Sequence, residues 1–226
     1  KKATMIFVAT TGMERFFPKE NLLVSGNPVR AAIENNHLTR KEALAFFNLA
    51  DTKTTILAVG GSLGAASINN ALLEHLGAFE KNNLQLIWQT GKTNANLYKE
   101  AAASYKNIWV DSFITQMEYG YAAADIVISR AGAMAVTELC VLGKASVLVP
   151  FPFAAEDHQT ANAMQLVNHG AAKIIKDADA QSLLVKTILD LSANPMEQEN
   201  MKGQISTMAL RNADEFIANQ ILASLK

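Results

Sequence analysis

The sequence is short of several things at once, and each shortage removes a class of function. It has one cysteine, Cys140, in 226 residues, so no disulfide framework is expected and the composition suits a reducing compartment. No run of about 18 apolar residues occurs, and no signal peptide is evident, so any membrane association is expected to be peripheral. Neither sign of charge dominates, since 20 Lys and Arg stand against 21 Asp and Glu. Binding a nucleic-acid backbone needs a basic patch, and none is found, so nucleic acid is not an expected partner. No Cys/His cluster has metal-ligand spacing and no G-x-S-x-G elbow occurs, so neither a metal nor a covalent serine mechanism is expected. No cofactor is expected either.

What is present is an ordinary globular composition, 50% hydrophobic and 18% charged, enough for one large domain or two small ones. From Thr54 onward, short apolar runs alternate with longer amphipathic ones. Strands are expected at TTILAV (54–59), LQLIWQ (84–89), NIWVDS (107–112), DIVIS (125–129), ASVLVP (145–150) and AAKII (171–175). Several are nearly continuous in apolar residues, as strands covered on both faces are. Helices are expected at 65–79, 94–104, 116–123, 133–142 and 157–169, then at 179–191, 195–208 and 213–225 with no further strand. Strict alternation with helix-length crossovers implies an α/β fold, a doubly wound parallel sheet of Rossmann type. Residues 1–30 stand apart, as strand MIFVATT, short helix MERFF and strand NLLVSG before an Asn-Pro junction. The chain opens without an initiator methionine and enters an apolar run almost at once, which reads as a chain joined partway.

Ligands of such sheets sit at the carboxyl ends of strands, beside helix N-termini. The turn VGGSLGAAS (59–67) has glycines at 60, 61 and 64, which admit an anion close to the backbone. It lacks the lysine of a P-loop and the spacing of G-x-G-x-x-G, so phosphate is favoured over a nicotinamide cofactor. The alternative is a tight turn with Ser62 capping the helix. In SRAGAMAVTEL (129–139), the amides of Ala133 to Val136 would face a second phosphate or a sugar, and Glu138 would accept from a diol such as ribose. The alternatives are that Glu138 merely complements a helix N-terminus and that Arg130 forms an ion pair holding the loop. In PFPFAAEDHQTANA (150–163), Gln159 and Asn162 share a helix face and could read sugar hydroxyls, while His158 reads as a surface residue. In DSFITQM, Phe113 and Ile114 offer an apolar wall and backbone groups to a planar base, or ordinary packing.

GNPVR, VGGSLGA, FITQM, SRAGAMAVTEL and EDHQTANA, in this order and spacing, resemble the MurG family along essentially the whole chain. These bacterial transferases add N-acetylglucosamine from UDP-N-acetylglucosamine to a lipid-linked muramyl-pentapeptide in peptidoglycan synthesis. The resemblance implies the C-terminal, donor-binding half of a two-domain GT-B glycosyltransferase. Residues 1–26 would be a remnant of the acceptor domain, 27–212 the donor domain, and 213–226 a helix crossing back. Arg30 and Ser62 would contact the donor nucleotide, and Ile114 would receive uracil through its backbone. Ala133, Met134, Ala135, Val136 and Thr137 would present amides to the diphosphate and sugar. Glu138 would hold the ribose hydroxyls and Gln159 would touch the N-acetylglucosamine. The family's glycine-rich H-x-x-G-G-T-G-G-H segment, with its proposed catalytic histidine, has no counterpart here, so no catalytic residue is expected in this chain. Residue 135 is alanine where some members have threonine. The intact enzyme would sit peripherally on the cytoplasmic membrane face. The alternatives are a donor-binding subunit of a split glycosyltransferase, or another GT-B enzyme such as a UDP-N-acetylglucosamine 2-epimerase.

Overall fold

A computed structural model describes residues 3–225. Lys1, Lys2 and Lys226, the ends of the first and last expected segments, lie outside the described residues.

The first two strands, β1 (Ile6–Val8) and β2 (Leu22–Val24), pair in parallel as a small sheet of their own. Two short helices follow the Asn-Pro junction, α1 (Ala31–Glu34) and α2 (Arg40–Phe46). Neither was expected, although the Thr39/Glu42 capping box that starts α2 is written in the sequence. The main sheet then contains β3 (Thr54–Val59), β4 (Leu84–Gln89), β5 (Ile108–Asp111), β6 (Ile126–Ser129), β7 (Ala145–Leu148) and β8 (Lys173–Ile174). All pairings are parallel and the order is β5-β4-β3-β6-β7-β8. The expected doubly wound fold is therefore present. The helices of this part are α3 (Ala66–Leu73), α4 (Leu76–Lys81), α5 (Ala95–Ala102), α6 (Met117–Ala123), α7 (Ala133–Leu142) and α8 (His158–Val167). After β8 come α9 (Ala180–Ser192), α10 (Pro195–Thr207) and α11 (Ala213–Ser224).

Strand alternation divides the interior into two cores. Ile56, Ala58, Leu86, Trp88, Ile126, Ile128 and Val147 face α3, α4, α5 and α9. Their neighbours Leu57, Ile87, Val127 and Leu148 face the opposite layer of α1, α2, α6, α7 and α8. Covering both faces explains why these strands read as nearly continuous apolar runs rather than as alternating ones. Burying each such side chain is worth about 1.5–3 kcal/mol. The helix expected over 65–79 is two helices, because His75 leaves helical geometry at φ −125° and ψ 22°. The apolar stripe is unbroken across the interruption: Leu72, Leu76 and Phe79 all pack into the first core, so hydrophobic periodicity alone did not reveal the break.

The chain winds outward from β3 to β5, then crosses back to β6. The two strands from which the winding departs in opposite directions are thus adjacent, and a crevice opens at their carboxyl ends. The turn after β3 is fixed by backbone packing. Gly64, at φ +88°, lies against the loop after β4 so closely that a Cβ would stand 2.1 Å from the Thr90 carbonyl oxygen. Gly61, at φ +83°, meets nothing within 4 Å. Gly64→Ala is therefore expected to cost about 3 kcal/mol or more, from left-handed strain plus overlap, whereas Gly61→Ala should cost about 1 kcal/mol from strain alone. Urea denaturation of both variants checks this; equal losses would mean that the close approach does not constrain the turn.

Candidate functional site

Two turns flank the crevice, one after β3 and one after β6. The β3 turn leads into α3, whose first residue is preceded by Ala65 rather than by a capping side chain. Ser62 is not the cap. It is exposed, and its carbonyl accepts from the Lys92 amide at 3.2 Å. Asn69 anchors this turn from below: its side chain accepts from the Trp88 indole at 2.9 Å and donates to the Thr90 carbonyl at 2.7 Å.

The β6 turn leads into α7, capped by Gly132 at φ −65° and ψ 150° with no side-chain hydrogen bond. A Cβ on Gly132 would meet nothing within 4 Å, so the helix end faces open space. The first intrahelical donor is the Val136 amide, bonded to the Gly132 carbonyl at 3.0 Å. The Thr137 amide is likewise used within the helix, and its hydroxyl donates to the Ala133 carbonyl at 2.9 Å. The expected amide set therefore narrows. Ala133, Met134 and Ala135 keep uncommitted N–H groups at the positive end of the helix dipole, whereas Val136 and Thr137 do not.

Arg130 is held by protein partners. Its guanidinium pairs with Asp177 and donates to the carbonyls of Val149 at 3.0 Å and Pro150 at 3.2 Å. Ser67 joins this group through Asp177 and Arg130. The ion-pair alternative for Arg130 holds, and it ties the starts of α3 and α7 to the loop after β7.

Glu138 is in the second turn of α7 and only 13% of its side chain is exposed. Its Oε2 accepts from the Tyr121 hydroxyl at 2.8 Å. Its Oε1 lies 3.7 Å from the guanidinium of Arg30, whose side chain is 62% exposed. Burial, and then the carboxylate itself, push the Tyr121 phenol well above its usual pKa. Glu138 and Arg30, each expected at the donor nucleotide, thus lie side by side, and Tyr121 was missed by the sequence reading.

At the FITQM turn, Ile114 is buried and its N–H is already taken. It donates to Gln89 Oε1 at 3.0 Å, while Gln89 Nε2 donates to the Gly61 carbonyl at 3.2 Å. The Ile114 amide, one of the backbone groups expected to receive uracil, is thus engaged by Gln89. Gln89, 2% exposed, links this turn to the one after β3. The signal for it was a polar residue ending the strand LQLIWQ directly after the apolar run Leu86–Trp88.

Gln159, in the first turn of α8, accepts from the Phe151 amide at 3.0 Å, and Asn162 donates to the Ala131 carbonyl at 3.0 Å. His158 is exposed and paired with the Ala155 carbonyl at 2.7 Å. A cleft of about 430 Å³ runs beside α7, lined by Thr10, Asn27, Ala133, Thr137 and Asn162 among others. Residues 133, 137 and 140 share that face of the helix, and Glu138 is one residue round from it. Among the described residues, no group of three or more His, Cys, Asp or Glu could hold a metal ion.

The sequence pattern of the glycosyltransferase family 28 C-terminal domain matches residues 55–217. The chain belongs to that family. Family 28 membership accounts for a parallel sheet with two anion-friendly turns at its switch point, and the motif resemblance to MurG holds. A relative from Parabacteroides distasonis, the UDP-N-acetylglucosamine–N-acetylmuramyl-(pentapeptide) pyrophosphoryl-undecaprenol N-acetylglucosamine transferase, is 45% identical over 98% of this chain and 61% of its own length. The protein of the same name from Porphyromonas gingivalis is 42% identical over 97% of this chain and 59% of its own. This chain therefore spans about three-fifths of these relatives. Among solved structures, Acinetobacter baumannii MurG superposes with a TM-score of 0.71 at 30% identity, covering 98% of this chain and 61% of that one. The UDP-GlcNAc 2-epimerase of Neisseria meningitidis, bound to UDP-GlcNAc, superposes with a TM-score of 0.68 at 17% identity over 98% of this chain and 61% of that one. That second likeness concerns the fold alone, which is the C-terminal domain of GT-B enzymes.

Proposed function

We propose that this chain binds UDP-N-acetylglucosamine as the donor half of an inverting transferase. The acceptor would be a lipid-linked muramyl-pentapeptide of peptidoglycan synthesis. One observation carries the reading: the uncapped start of α7, with free amides on Ala133, Met134 and Ala135, stands one helical turn from the Glu138 carboxylate. The diphosphate would lie over those amides, the ribose diol on Glu138 with Arg30 beside it, and the sugar toward Gln159 and the cleft face of α7. Ser62 would reach the phosphates from the facing turn, and uracil would sit at Ile114 and Phe113. In transfer, the acceptor's C4 hydroxyl oxygen bonds to the anomeric carbon as the bond to UDP breaks. The hydroxyl proton passes to a base, and the leaving diphosphate keeps the electron pair. The helix amides stabilise that leaving charge without a metal.

The base is assigned to the part of the longer relatives that this chain does not cover. Residues 1–26, with their separate two-stranded sheet, would belong to that acceptor domain, and 27–212 to the donor domain. The segment 213–226 would cross back, since α11 buries only Ala213 and leaves Ile221 and Leu222 exposed. No helix among the described residues is long and apolar enough to cross a membrane. Peripheral attachment at the cytoplasmic membrane face would be a property of the intact enzyme. An epimerase reading is less favoured, because the epimerase likeness stands at 17% identity against 45% for a transferase.

Calorimetric titration with UDP-N-acetylglucosamine, UDP and NAD tests the proposal. Binding of both uridine compounds and not of NAD is expected, together with no transfer to acceptor by this chain alone. A folded chain that ignores both uridine compounds would sink it.

A further inference from the structure

Tyr121 is the buried polar side chain that ordinary packing does not explain. Its ring lies in the second core, 5% exposed, where a phenylalanine would fill the same space. Its hydroxyl has one partner, Glu138 Oε2 at 2.8 Å. An ionised carboxylate only accepts, so the tyrosine must donate. The raised phenol pKa, caused first by burial and then by Glu138, keeps that proton in place at any ordinary pH.

Holding Oε2 has a consequence for Oε1. A glutamate on a helix flank samples several rotamers, and a hydrogen bond to a rigid buried ring selects one of them. Oε1, 3.7 Å from Arg30, is beyond hydrogen-bond reach of that guanidinium and retains its acceptor capacity. A cis-diol carries two O–H donors on adjacent carbons. One can reach Oε1 and the other the remaining lone pair of Oε2.

We propose that Tyr121 is a positioning residue that sets the Glu138 carboxylate for a ribose cis-diol and so contributes to discrimination against sugars lacking those hydroxyls. This deepens, and rests on, the reading of the crevice as a uridine diphosphate-sugar site. Tyr121 itself touches no ligand.

The test is calorimetric titration of wild type, Tyr121→Phe, Glu138→Gln and the double variant with UDP and with 2′,3′-dideoxyuridine diphosphate. Wild type is expected to prefer UDP. Tyr121→Phe should lose roughly five- to tenfold of that preference, the scale of one ordinary hydrogen bond because Tyr121 acts only through Glu138, with affinity for the dideoxy compound unchanged. In the Glu138→Gln background the tyrosine change should have no further effect on the ratio. The ratio is taken within one variant, so a partly unfolded sample lowers both affinities and leaves it intact. If Tyr121→Phe keeps the full preference, or weakens both ligands equally, Tyr121 is packing alone and the inference is overturned. If wild type binds both compounds equally or binds neither, the diol role of Glu138 fails first and takes this inference with it.

Discussion

Glu138→Ala is expected to weaken UDP binding by about 30- to 100-fold. The carboxylate would accept two hydroxyl donors from ribose, and losing both charge-assisted bonds is worth roughly 2–3 kcal/mol net. The same change leaves the Tyr121 hydroxyl buried without its partner, which should lower stability by about 1–2 kcal/mol. Arg30 loses an ion pair as well. At 62% exposure and 3.7 Å separation that pair contributes little. Binding and stability must therefore be read separately, by calorimetry on protein first shown to be folded and by denaturant titration. An unchanged UDP affinity in folded Glu138→Ala would leave the glutamate as a mere complement to the helix dipole, the alternative that its position in α7 first allowed.

The architecture was legible because both faces of the sheet are covered. Such strands run nearly continuous in apolar residues, and ILAV, LIW and IVI stand out by composition within TTILAV, LQLIWQ and DIVIS. Helix α7 was read to the residue, since Gly132 precedes its apolar pattern and Gly143, at φ +61°, ends it. The break at His75 was not legible, because the chain resumes helix with its apolar face still in register. Helices α1 and α2 were missed for another reason: α1 has four residues, too short for a periodic signal to develop.

The site was legible only where chemistry is carried by residue type. An acid in an apolar helix and glycines at strand ends can be seen in one dimension. Partners cannot. Gln89 and Tyr121 are an average polar and an average aromatic residue until the fold brings them against Ile114 and Glu138. Ser62 was weighed as a cap because of its residue type, yet the helix begins four residues later, at Ala66, after a turn that Gly64 and Thr90 determine by close approach. Which amides are free is likewise a matter of backbone geometry, and the sequence overcounted them by including Val136 and Thr137.

That geometry permits a substitution aimed at one hydrogen atom. Ala133 is the first residue of α7, exposed, with an uncommitted N–H. Proline is tolerated at this position, and it demands an extended conformation of the residue before it. Gly132 already has one, at φ −65° and ψ 150°. Ala133→Pro should therefore leave stability within about 0.5 kcal/mol of wild type. For a diphosphate the change is severe. One N–H donor disappears, and a ring carbon occupies the direction in which it pointed. UDP affinity is expected to fall about 100-fold, the combined scale of a lost charge-assisted bond and a steric block. Uridine, which has no phosphate, should bind as before. Calorimetry with the two ligands separates the outcomes. A selective loss of UDP places the phosphates on the start of α7. Equal UDP affinity in the proline variant would move the diphosphate elsewhere, with the turn after β3 as the remaining helix N-terminus at the crevice.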